Sequence, residues 1–142
     1  MNISKFTQKS VQAVQDLEKV AYEYGNQEVE QEHLLYALLT QEDSLILKLI
    51  EKMDINKEYF INVVKKALDA KVKVSGGDLR FGQYLNKSLV NAENEAKAMG
   101  DEYVSVEHLF LSLLTQPSPS MKKIFNEFGI TRERFLQALS TV

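Results

Sequence analysis

The chain has 142 residues, enough for one domain that buries roughly 70% of the surface its unfolded form exposes. Its 17 Lys and Arg against 20 Asp and Glu give a net charge of −3, which argues against a phosphate-backbone binder and hence against nucleic-acid partners. No apolar run reaches the roughly 18 residues of a membrane helix, and with no cysteine there is no disulfide, thiol nucleophile or thiolate metal site.

The opening Met1-Asn2-Ile3-Ser4-Lys5-Phe6 has no apolar stretch after its charge and does not read as a signal peptide, so cytoplasmic residence is expected. Ser10, Val14, Leu17, Ala21 and Tyr24 then step by four, three, four and three, the spacing of one helix face. Thr7 is placed to cap this helix, with Phe6 and Val11 set as a hydrophobic staple, and Gly25 stands just past its end. A second, short helix from near Glu30 carries Leu34, Leu35, Leu38 and Leu39, a wide apolar face that suits the centre of a core. A third is expected from Asp43 and a fourth from Asn56, a good N-cap. Lys71-Val72-Lys73-Val74-Ser75-Gly76-Gly77-Asp78 loses the helical period and reads as a flexible connector.

After the connector the chain repeats itself. Shifted by 75 positions (His33 onto His108), the two halves align without a gap, through Phe6/Phe81, Glu18/Glu93, Ala21/Ala96, Gly25/Gly100, Lys48/Lys123 and Phe60/Phe135. The second copy has the face Leu85, Leu89, Ala92, Ala96 and Met99, then a helix from Ser105 with Leu109, Phe110, Leu113 and Leu114. Ser118 with Pro119 and then Thr131 open the last two helices. A period of 75 is too long for a thin solenoid. The expected architecture is all-α: one domain over 1–142 with eight helices, built of two four-helix repeats (about 1–70 and 81–142) around a linker at about 71–80 and related by a pseudo-twofold.

Three patterns invite a chemical reading. Gly77-Asp78-Leu79-Arg80-Phe81-Gly82 has phosphate-loop glycine spacing, but Gln83 and Tyr84 follow where Lys and Ser or Thr are needed. Glu32-His33 and Glu107-His108 suggest a metal site or a small hydrolase, yet Ala37 and Ser112 stand where a second helical His would be. The plainer reading is an acidic residue complementing the helix dipole beside a His that caps or packs. Asp101 and Glu102 read as a solvated pair in a turn. Val11, Val20 and Val90 lie off the main apolar stripes; most such residues are core, but a groove between the halves is a place for a partner peptide.

Val104-Ser105-Val106-Glu107-His108-Leu109-Phe110-Leu111-Ser112-Leu113-Leu114 resembles the Clp N-terminal repeat, with its Glu-His-Leu-Leu-x-x-Leu-Leu helix, and both copies are present. Phe6-Thr7-Gln8-Lys9-Ser10, the stretch Gln27 to Leu35 and the Val74-Ser75-Gly76-Gly77 linker look most like the ClpB-type disaggregase branch; the ClpC and ClpA unfoldases that feed a peptidase share the double repeat and come second. The resemblance implies a non-catalytic module that engages unfolded or aggregated polypeptide at the front of a hexameric AAA+ ATPase working with co-chaperones. Its ATP and magnesium sites would lie beyond Val142, no cofactor would belong to this chain, and the isolated domain would be monomeric. Family residues implicated in substrate engagement correspond to Thr7, Asp101 and Glu107 here, and Asn91, Glu95 and His108 stand where some relatives have leucine in an apolar groove.

Overall fold

In the computed structural model, which describes residues 3–142, eight α-helices follow one another. They are α1 (Gln8–Tyr24), α2 (Gln31–Leu39), α3 (Leu45–Lys52), α4 (Lys57–Asp69), α5 (Gln83–Ala98), α6 (Val106–Thr115), α7 (Pro119–Phe128) and α8 (Arg132–Leu139). Met1 and Asn2, part of the segment read as no signal peptide, lie outside the described residues. The boundaries follow cap chemistry. Thr7, Asn56, Ser118 and Thr131 each accept a backbone N–H three residues on, Pro119 takes the first position of α7, and Gly25 closes α1 at φ 68°.

One expected boundary is displaced. The third helix is capped by Ser44, not Asp43. The Ser44 hydroxyl accepts the Leu47 N–H at 3.1 Å and donates to the Leu38 carbonyl at 2.6 Å, so it closes two helices at once. Asp43 takes a left-handed φ of 56° and pairs with Lys48 at the surface.

α2 and α6 are the centre. Leu34, Leu35, Leu38, Leu109, Phe110 and Leu113 are all fully buried, and each such side chain contributes roughly 1.5–3 kcal/mol by leaving water. α1 packs on α2 and α5 on α6, while α1 also meets α6 and α2 meets α5 across the seam, as a pseudo-twofold requires. Buried residues of both repeats form one core. Phe60 and Tyr59 of α4 meet Phe128 of α7 edge-on at 4.9 and 5.6 Å, and Arg134 of α8 donates to the Met53 carbonyl at the end of α3. Gln31 completes the seam: its amide donates to Ser88 Oγ and the Gln116 carbonyl and accepts the Ser118 N–H, at 2.8–2.9 Å.

Two features fall outside the helical pattern. β1 (Glu28–Val29) and β2 (Arg80–Phe81) pair in parallel, and Phe6 bridges Val104 at the equivalent place in the other repeat. The first part of the connector, Lys71 to Val74, is tied to the first repeat. The Val74 N–H donates to Gly25 O at 2.9 Å, Val72 O accepts from Asn26, and Lys71 pairs with Glu30 and Glu32. Of the three off-stripe valines, Val20 is buried, Val11 is half-buried against the core and Val90 is 62% exposed.

Candidate functional site

Thr7 sits where the two repeats touch. Its N–H donates to the Val104 carbonyl at 2.9 Å, and the Val104 N–H donates to Lys5 O at 2.8 Å. The Thr7 hydroxyl accepts the Ser10 N–H at 3.3 Å, and the buried Ser10 hydroxyl lies 2.6 Å from the same Val104 carbonyl. The start of α1 is thereby fastened to the turn that opens α6. In that turn Gly100 takes φ 74°, and the Asp101 N–H returns to Ala96 O at 2.9 Å.

His108, fully buried, organises the turn. Its Nδ1 accepts the Ser105 N–H at 2.8 Å, which leaves the ring proton on Nε2 to be donated to Asp101 Oδ2 at 2.8 Å. Asp101 is thus not simply solvated as the sequence suggested: its side chain is 47% exposed, but one oxygen is held. Glu102 stays exposed. Glu107 lies in the first turn of α6, half-buried, and forms neither a hydrogen bond nor an ion pair with the described residues. The free amide ends of α6 favour its negative charge. Tyr103, in the turn before α6, is 53% exposed.

His33 repeats the arrangement in the first half. Its Nδ1 accepts the Glu30 N–H at 2.8 Å and its Nε2 meets Asn26 Oδ1 at 3.0 Å. Burial, and then the nearby Lys71 charge, lower its pKa to about 4. In both copies the ring is a helix cap with both nitrogens engaged, so neither offers a lone pair to a metal or a substrate proton. The sequence signal was present, a His three residues into each copy of one helix, but its partners sit seven residues back across a turn.

The family-groove positions are polar. Asn91 accepts from Asn94 at 3.1 Å. Glu95 is buried, taking Arg132 at 2.7 Å and the Thr115 hydroxyl at 2.6 Å. Burial pushes the Glu95 carboxyl up, but these two donors outweigh it and hold it below the usual range. At the start of α5 a Cβ on Gly82 would lie 2.9 Å from Glu28 Oε1, a carboxylate where a phosphate loop needs donors, so these residues do not fit ATP.

The start of α1 and the turn before α6 thus present carboxylates at Asp101 and Glu107 and an exposed aromatic ring at Tyr103. The Clp repeat (R) N-terminal domain profile matches residues 5–141, and the chain belongs to that family. It is 39% identical to the chaperone protein ClpB of Nitratidesulfovibrio vulgaris over the whole of this chain, which spans 17% of that protein's length. Its fold is similar to the Hsp104 N-terminal domain of Candida albicans (TM-score 0.81, 21% identity, 94% of this chain and 88% of that one). It is also similar to a ClpV N-domain in complex with a VipB peptide (TM-score 0.73, 22% identity, 97% and 89%). Among the described residues no helix is long and apolar enough to cross a membrane.

Proposed function

We propose that this chain is the N-terminal, polypeptide-engaging domain of a ClpB-type disaggregase, and that Thr7, Asp101 and Glu107 mark where unfolded or aggregated chains are held. The observation that carries this reading is the bond from the Thr7 N–H to the Val104 carbonyl, which fastens Thr7 of the first repeat to the distant turn that carries Asp101 and leads into Glu107. The turn that the start of α1 meets at Val104 carries the half-exposed Asp101 and Tyr103, and leads into Glu107, whose carboxylate pairs with none of the described residues. Such a surface can hold an extended chain through backbone and apolar contacts without strict sequence preference. Binding is expected to be weak, micromolar or weaker, because a feeding domain must release what it captures. The peptide complex of the ClpV N-domain supports the reading by analogy of fold.

The rest of the assignment concerns the whole protein. We infer a cytoplasmic homohexamer that uses ATP and magnesium in parts outside this chain and works with co-chaperones, while the isolated domain is monomeric and non-catalytic. The test is fluorescence anisotropy of a labelled, permanently unfolded protein against the domain and its Thr7→Ala, Asp101→Ala and Glu107→Ala variants. Each variant should weaken binding at least about fivefold, the equivalent of ~1 kcal/mol. Thr7→Ala should also cost roughly 1 kcal/mol of stability as a lost cap. Folded variants that bind like the wild type would refute the site.

A further inference from the structure

The first repeat contains a second copy of this geometry. The Gly82 N–H donates to Val29 O at 2.8 Å as the Thr7 N–H does to Val104 O at 2.9 Å. The Asn26 N–H returns to Ala21 O at 2.9 Å as that of Asp101 does to Ala96 O at 2.9 Å. The histidines cap their helices alike, and Glu32 occupies the position of Glu107. A groove of about 290 Å³ opens beside Glu30, Gly82 and Tyr84.

The copies differ in side chains, with Gly82 for Thr7 and Asn26 for Asp101, and in one added cation. Lys71, where the connector leaves α4, puts its ammonium 2.9 Å from Glu30 Oε2 and 3.3 Å from Glu32 Oε1. Glu32 is only 2% exposed and also accepts the Ser120 hydroxyl of α7. A carboxylate this buried requires such partners, and charge-assisted bonds to an ammonium are the strong ones. Glu107, at the same place in the second repeat, is half-exposed and pairs with no cation among the described residues.

We propose that Lys71 is a tethered stand-in for a substrate cation: it satisfies the first repeat's copy of the polypeptide site, so the second copy, at Glu107, alone takes a lysine or arginine side chain from a bound polypeptide. This rests on the reading of Thr7, Asp101 and Glu107 as the polypeptide site. It makes the domain a one-chain binder that favours basic segments, and it makes Lys71 the residue that sets the stoichiometry.

The test is NMR titration of the isotope-labelled domain with two unstructured peptides that differ only in one central residue, lysine or glutamine. The wild type should show one set of shifts, around Thr7 and 101–107, with the lysine peptide about fivefold tighter, and Glu107→Gln should abolish that preference. Lys71→Ala should add a second set around 26–32 and Gly82 and saturate at two peptides per domain. The preference experiment uses folded wild-type protein, so it decides the matter even if Lys71→Ala proves unstable. Equal affinity for the two peptides, two bound peptides on the wild type, or a folded Lys71→Ala domain that still takes one would each overturn the proposal. Binding without preference refutes only the role of the cation, whereas no shifts with either peptide would refute the underlying site as well.

Discussion

The two histidines show how much a single partner changes. Each accepts a backbone N–H on Nδ1 and donates from Nε2, His33 to the Asn26 amide and His108 to the Asp101 carboxylate. Protonating His33 would set a second N–H against the Glu30 N–H and bury a cation close to Lys71, which is why its pKa falls to about 4. The folded value lies below the unfolded one of about 6.5, so the unfolded state takes up the proton first as pH falls. The contribution of His33 to stability is therefore complete above about pH 6.5 and is lost on going down to about 4, in total on the order of 3 kcal/mol. Urea melts across that window should show the loss, and the His33 ring should remain neutral by NMR at pH 5. A ring that titrates near 6.5 would mean the cap does not hold.

At the scale of elements, the central pair α2 and α6 makes the plainest claim. Leu38 and Leu113 are equivalent under the 75-residue shift and both fully buried, so truncating either to alanine should cost about 2–5 kcal/mol. Denaturant melts shifted by less than ~1 kcal/mol in both would show that the centre lies elsewhere. These helices were legible because their periodicity and caps are local: Thr7, Glu30, Asn56, Ser105, Ser118 and Thr131 all stand at the boundaries observed. The pairing of Glu28–Val29 with Arg80–Phe81 was not legible, since two residues carry no period to read. Nor was the docking of the connector, which depends on Lys71 meeting carboxylates some 40 positions earlier (71 minus 30 is 41). The third helix starts after Ser44 and not at Asp43, the position equivalent to Ser118, because the bond from Ser44 to the Leu38 carbonyl, a tertiary fact, decides the cap. Of the candidate site, the three residues were named through family resemblance, but the His108–Asp101 bond and the Glu95–Arg132 pair needed the fold.

The whole molecule is two repeats sharing one core. Residues 1–75 alone would lack β2 beside β1, Phe128 against Phe60, and Ser88, Gln116 and Ser118 around Gln31. A fragment of that size has little core to spare and would expose the seam, so it should be poorly folded by circular dichroism. A cooperative thermal transition like that of the intact chain would contradict the shared core. The same sharing places Thr7 of the first repeat on the turn of the second, so the proposed polypeptide surface exists only when the repeats are joined. The most direct measurement is an NMR titration of the labelled intact domain with a permanently unfolded protein. A polypeptide surface at the start of α1 and at 100–107 should give fast-exchanging shifts concentrated there. Absence of shifts, or shifts gathered around the connector at 72–78, would contradict it.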